Sequence, residues 1–344
     1  MIWSKNIGFF DMAIKDGEGW FINAYYGAIY RLDLADFNLK LETMLEPQFR
    51  APYFFANVAF RGNTLIAAPR GGNAILLYDT VQRSIRTIEI EKKYIPEDNM
   101  NNLIMGIEIY KDCAVLFPGT CRAILFLDMS NMEIEYVDYW DKKLNACNTR
   151  SVMFRHVRRI DDSRCLLPTF QHGFVFEFDL AQKKGEYTQV NCIEDCLIDI
   201  LPFEERYIVS FLKSQKLLLW DKDNGKTEPF VLCDKNGDGN GIRDIISANG
   251  YLYCVDTRGD RLHVIDTASR TFIKTITVMT AQITKSTATI NLAAPVIEIV
   301  AHKSNRLTAI SPLFLALSAP LNFTFTASST NVSFDSNIIK TLSI

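Results

Sequence analysis

The chain has 344 residues and a mass of 39.2 kDa, with 48% hydrophobic and 22% charged residues, which excludes disordered and fibrous classes. Its formal charge of −3 argues against a broad nucleic-acid surface, and no apolar run reaches the roughly 18 residues that span a bilayer. Asp11 and Lys15 interrupt the start, which leaves no core for a signal peptide. The eight cysteines are scattered, and a chain this long needs no disulfide staples. These features lead to the expectation of a soluble, cytoplasmic monomer with reduced thiols, apart from membranes and nucleic acid.

In chain order, an apolar run ending in aspartate recurs six times: YRLD at Asp33, LLYD at Asp79, LFLD at Asp128, FEFD at Asp179, LLWD at Asp221 and HVID at Asp266. The intervals are 46, 49, 51, 42 and 45 residues, a period that marks a solenoid or propeller rather than separate domains. About 16 residues before each aspartate lies a turn, such as Asp16-Gly17 or Asn249-Gly250, followed by a short apolar strand such as WFINA or YLYCV. After the aspartate, a polar turn leads into alternating runs such as RSIRTIEIE and RTFIKTITV, the period-two signal of a half-buried strand. Four short antiparallel strands per unit of this length predict a β-propeller. The aspartate itself is expected to accept from backbone N–H groups of the turn that follows it.

Residues 250–278, GYLYCVDTRGDRLHVIDTASRTFIKTITV, resemble the YVTN-type propeller repeat, and NAILLYDTVQRSIRTIEI at 73–90 is a looser match. The resemblance implies a seven-bladed propeller related in shape to Trp-Asp repeat proteins, although their Gly-His signature is absent and Trp-Asp ends only one of the six units, LLWD at Asp221. Such families are functionally mixed, so the resemblance speaks to fold and not to activity.

The organisation expected is six blades over residues 1–280, with a degenerate seventh blade and closing strand over 281–344. Glycine stops at Gly259, and the last 64 residues hold only six charged side chains. The alternatives for this tail are a β appendage on a six-bladed ring and an altered reading frame.

Propeller ligands meet the central channel or the loops at one end. Twenty-two residues before the repeat aspartate stand Asp11, Asn57, Gly106, Asp199 and Asp244, and sliding the fourth unit by one place adds His156. A residue repeated in most blades is expected to satisfy blade-to-blade hydrogen bonds. Arg155, His156 and Arg243 depart from that symmetry, because sister units carry Phe10, Ala56, Met105 and Ile198 nearby. The channel-mouth candidates are therefore Asp11, Asn57, Arg155, His156, Asp199, Arg243 and Asp244. An acid/base pair would use His156 as proton shuttle and Asp199 as its orienter.

A second candidate is DKNGDGNGIRDI, where Asp234, Asn236 and Asp238 fit the first half of a calcium loop. Position 12 is Ile245 instead of glutamate, so weak calcium is the only cofactor considered. Cys192 and Cys196 lack a second pair at zinc spacing, and no phosphate loop, dinucleotide fingerprint or serine elbow occurs. Phe and Tyr read as blade packing, and Arg158-Arg159 as a solvated basic pair.

Two functions follow. The first is a non-enzymatic interaction module presenting a loop face or channel mouth to a protein or peptide, through segments such as PQFRAPYFF at 47–55 and KKYIPEDNMNN at 92–102. The alternative is a propeller enzyme, or a protein that binds a sugar or small acid, using the polar ring. Charged tips converging in an open funnel would favour the alternative, whereas tips buried between blades and fully paired would favour the first.

Overall fold

A computed structural model describes residues 10–36, 38–97, 102–138, 154, 156–170, 173–191, 196–232, 241–257, 261–277 and 306–307. The described strands form six antiparallel sheets, one per repeat, whose four repeat strands run in sequence order from an inner to an outermost strand, with a fifth strand added beside the first in blade 1. Blade 1 holds β1 (Met12–Lys15), β2 (Glu18–Ile22), β3 (Ala28–Asp33) and β4 (Leu39–Met44). Blade 2 holds β5 (Phe55–Arg61), β6 (Thr64–Pro69), β7 (Ala74–Asp79) and β8 (Ser84–Glu89), and blade 3 holds β9 (Ile104–Tyr110), β10 (Cys113–Pro118), β11 (Ile124–Asp128) and β12 (Ile134–Val137). Blade 4 opens with a short β13 (Arg158–Arg159), then β14 (Arg164–Pro168), β15 (Phe174–Asp179) and β16 (Lys184–Gln189). Blade 5 contains β17 (Leu197–Phe203), β18 (Arg206–Phe211), β19 (Ser214–Trp220) and β20 (Thr227–Leu232). Blade 6 contains β21 (Ile242–Ala248), β22 (Tyr251–Asp256), β23 (Arg261–Asp266) and β24 (Thr271–Thr277). A further strand, β25 (Arg306–Leu307), pairs antiparallel with β1. The architecture is the β-propeller that the repeat predicts. Among the described residues, no helix is long and apolar enough to cross a membrane.

Each repeat aspartate closes the turn that follows its third strand. Oδ1 of Asp33, Asp79, Asp128, Asp179, Asp221 and Asp266 accepts N–H groups two or three residues ahead, at 2.7 to 3.0 Å. The turn then needs a left-handed residue. Arg83, Met132, Lys183 and Arg270 take φ between 53° and 66° there, and blade 5 uses Gly225. The aspartates are scaffold.

The core lies between blades. Trp20 and Ile29 of blade 1 join Phe60 and Tyr78 of blade 2, and Ile66 and Leu77 of blade 2 join Ile107 and Leu116 of blade 3. Phe117 and Phe126 then pack with Phe154 and Phe178, Leu166 with Trp220, and Leu219 with Ile245. Burying one such side chain stabilises by about 1.5–3 kcal/mol. The outer faces of the series carry their own clusters: Met12, Phe21, Tyr30 and Leu32 on blade 1, Val255 and Leu262 on blade 6. Apart from β25, the expected seventh blade at 281–344 lies outside the described residues.

Candidate functional site

The innermost strands start at one end of the ring, and irregular register marks their starts. The pairing of the first and second strands shifts between Phe55 and Val58, between Leu197 and Asp199, and between Ile242 and Asp244. In blade 3 the shift is of the same kind: Gly106 and Ile104 stand opposite Phe117 and Pro118, which leaves Met105 as the extra residue on the first strand. Such bulges re-aim the side chains beside them, and here those side chains are the members of the polar ring. In blade 4 Arg158 stands opposite Leu166, as Leu201 stands opposite Ile208 in blade 5. That register places His156 level with Asp199, one place farther from its repeat aspartate than in sister blades.

Two ring aspartates link neighbouring blades by the same pair of bonds. Asp11 accepts from Met12 N–H through Oδ1 and from Val58 N–H of blade 2 through Oδ2, at 2.9 and 3.2 Å. Asp199 accepts from Ile200 N–H through Oδ1 and from Ile245 N–H of blade 6 through Oδ2, both at 2.8 Å. Asn57 donates to Asp11 at 3.4 Å. Gly106 stands in the same ring place, and a Cβ there would overlap Val157 of blade 4, so side-chain packing replaces the polar link between blades 3 and 4.

Asp244 behaves differently. Its Oδ1 lies 3.2 Å from His156 Nε2 and its Oδ2 lies 3.4 Å from Arg243 Nε. A blade 4 imidazole and a blade 6 guanidinium thus share one blade 6 carboxylate, across the start of blade 5. The side chains of His156, Arg243 and Asp244 remain 19%, 29% and 12% exposed, whereas Asp199 is fully buried. His156, not level with solvent but reachable from it, is oriented by Asp244 and not by Asp199 as the acid/base pairing expected. The reason is that Arg158 already occupies Asp199.

Arg158 is the residue the sequence misplaces. Its Nη2 donates to Asp199 Oδ2 at 2.6 Å and to the Ile245 carbonyl at 3.1 Å, and its Nε donates to the Ile200 carbonyl at 3.0 Å. One guanidinium therefore ties blades 4, 5 and 6 together. Arg159 turns the other way, donating to the Ile109 carbonyl of blade 3 at 2.7 Å. Neither is the solvated side chain expected of a basic pair. The fork of an arginine suits converging carbonyl and carboxylate oxygens, and nothing in a dipeptide of like charges announces such partners. Ser210 also escapes sequence reasoning. It stands opposite Asp199 in register, with a buried Oγ that makes no hydrogen bond among the described residues.

One atom each of His156, Asp199 and Asp244 lies within 4.8 Å of the others, a spacing that could hold a cation. Arg158 already supplies positive charge there. Arg155 and the calcium-loop candidates Asp234, Asn236 and Asp238 lie outside the described residues.

The same end of blades 1 and 2 carries an aromatic patch. Phe10 precedes β1, Tyr53 precedes β5, Tyr25 lies in the β2–β3 connection and Arg70 in the β6–β7 connection. In an up-and-down blade all four positions fall at the end where the inner strands begin. Tyr53 packs 5.7 Å from the Phe10 ring and 5.8 Å from the Tyr25 ring, and Arg70 stacks 4.0 Å above Phe10. Burial, aided by contact with Tyr53, raises the Tyr25 hydroxyl above its ordinary pKa. Tyr53 is 42% exposed and holds φ at 61°, a backbone region where a bulky side chain is uncommon. Asn102 takes that conformation at the corresponding start of blade 3. Trp20, Tyr78 and Trp220, by contrast, are buried in the core between blades.

No protein-family model matches the chain, and no curated protein does. Among solved structures, it is similar to a streptogramin B lyase at 12% identity and a TM-score of 0.62, covering 80% of this chain and 85% of that one. A virginiamycin B lyase from Staphylococcus aureus with quinupristin matches at 10% identity and a TM-score of 0.61, covering 79% and 85%. YCF48 bound to D1 peptide matches at 13% identity and a TM-score of 0.57, covering 79% and 83%. At these identities the likeness is one of fold, and the fold is the β-propeller.

Proposed function

We propose that this propeller is a non-enzymatic interaction module that takes a peptide segment of a protein partner on the loop face where its inner strands begin. The observation that carries the reading is the patch of Phe10, Tyr25, Tyr53 and Arg70, with Tyr53 held outward on left-handed backbone. An exposed tyrosine backed by two half-buried rings and a stacked guanidinium is the kind of anchor that binding surfaces favour. Two ring aspartates, Asp11 and Asp199, are consumed by links between blades, which removes them from chemistry. One propeller of the same fold, YCF48, is bound to a peptide. The chain is read as a YVTN-type, cytoplasmic monomer, with a seventh blade from 281–344 filling the space between the apolar faces of blades 6 and 1.

The test is selection of peptides from a displayed random library on the wild type, followed by titration against a Tyr53→Ala/Arg70→Ala variant of matched Tm. Selected peptides should bind the variant at least about 10-fold more weakly. Failure to enrich any sequence, or equal affinity for both proteins, would overturn the reading. The alternative, a small-molecule function at the channel ring, draws on a separate group of residues.

A further inference from the structure

We propose that His156 and Arg243, held in place by Asp244, form a carboxylate-binding site at the channel mouth between blades 4 and 6. This goes beyond the loop-face reading and does not depend on it. The ring position is scaffold in blades 1 and 5, where Asp11 and Asp199 bond the next blade's backbone. Asp244 makes no such link among the described residues. Its two oxygens instead lie 3.2 Å from Nε2 of His156 and 3.4 Å from Nε of Arg243. His156 stands where other blades place Asp11, Asn57, Gly106, Asp199 and Asp244, and Arg243 stands where they place Phe10, Ala56, Met105 and Ile198. Two independent departures from the repeat thus meet on one carboxylate.

The donors left over define the ligand. With Nε2 and Nε turned toward Asp244, the His156 Nδ1 edge and the terminal nitrogens of Arg243 have no partner among the described residues. Arg243 then offers a planar pair of N–H donors, the geometry that receives a carboxylate in bidentate fashion. His156 adds a third donor once its imidazole holds a second proton. Among the described residues, the charged groups around the imidazole are Asp244 and Arg243 of blade 6, Asp199 of blade 5 and, bonded to Asp199, Arg158 of blade 4. Among these described groups the two carboxylates balance the two guanidinium groups, so a protonated imidazole leaves one positive charge for an anion to neutralise. Arg158, 2.6 Å from Asp199, opposes a divalent cation at the same place. Binding should therefore be accompanied by proton uptake.

The carboxylate could belong to a free small acid or to the C-terminus of a peptide, and calorimetry with three probes separates these sources. The probes are acetate, the tripeptide Gly-Gly-Phe and its C-terminal amide, titrated at about pH 5.5 and about pH 8 in buffers of different ionisation enthalpy. Tighter binding at the lower pH with proton uptake is expected, together with a loss of roughly 10-fold or more in Arg243→Gln, partly restored in Arg243→Lys. Acetate and tripeptide binding alike would identify a small-acid site, and tripeptide alone a peptide terminus. Equal binding of the amide, no binding of either acid, or affinity unchanged in Arg243→Gln would each overturn the proposal, as would zinc binding that acetate does not affect. Shifts of the His156 ring signals on adding acetate to the wild type provide a readout that does not depend on a variant folding. The Tyr53→Ala/Arg70→Ala variant should bind acetate as the wild type does, so the two readings fail separately.

Discussion

Arg158 of blade 4 holds Asp199 of blade 5 through a 2.6 Å hydrogen bond, and the same nitrogen reaches the Ile245 carbonyl of blade 6. Asp199 is fully buried, and removing one partner of a buried pair leaves an uncompensated charge. Arg158→Ala should lower stability by about 3–5 kcal/mol, read as a shift of the chemical-denaturation midpoint at constant slope. Adding Asp199→Asn should cost less than the sum of the single losses, because the two share one interaction.

Gly106 stands where Val157 of the next blade must fit. Gly106→Ala should destabilise by about 1–3 kcal/mol through overpacking. Val157→Ala in the same chain should recover much of that loss, since it removes the overlapping methyl. Thermal unfolding of the four proteins in the cycle tests the pairing, and no recovery would mean the blades meet elsewhere.

The repeat aspartates bear on acid stability. The Ser130 hydroxyl and N–H hold Asp128 below its ordinary pKa, and the Ser269 N–H and hydroxyl do the same for Asp266. A carboxyl depressed in the folded state stabilises fully above its unfolded value of about 3.9, and the contribution fades as pH falls through the folded value. Asp128→Asn and Asp266→Asn should therefore narrow the stability difference between about pH 6 and about pH 3. Denaturation midpoints at the two pH values check this, and an unchanged difference would show the turns carry no titrating load.

Thiol reactivity should follow burial. Burial pushes the Cys121 thiol up to about 11, and Cys165 and Cys254 are also buried, while Cys113 and Cys196 are half exposed. Iodoacetamide at about pH 8 should label Cys196 well before Cys121, because the thiolate is the reactive form. Peptide mapping by mass spectrometry over time gives the order, and early labelling of Cys121 would show that blades 2 and 3 separate in solution.

Much of the scaffold was legible in the sequence. The six aspartates, their spacing and the turns beside them are local signals, because each Asp side chain reaches only two or three residues along its own chain. The alternating runs report burial face for the same reason, since a strand exposes its side chains with period two. Even the one-place slide of blade 4 was visible, as FRHVRRI set against FANVAFR. The sequence by itself thus determined an all-β repeat protein, the number of clear units and the ring position that includes His156.

Partnership was decided only by the tertiary structure. Whether Asp199 meets His156 or Arg158, and whether Arg158 meets water or three blades, depends on how inner strands start and how far each bulge rotates a side chain. Those quantities arise between units some 40 to 90 residues apart in the chain, as the separations of 41 and 87 residues between Arg158 and its partners show. A two-residue pattern of like charges contains no record of oxygens converging on it from two other blades. The burial of Asp199 and the spare donors of His156 and Arg243 exist only once closure of neighbouring blades has excluded water from one side of the ring.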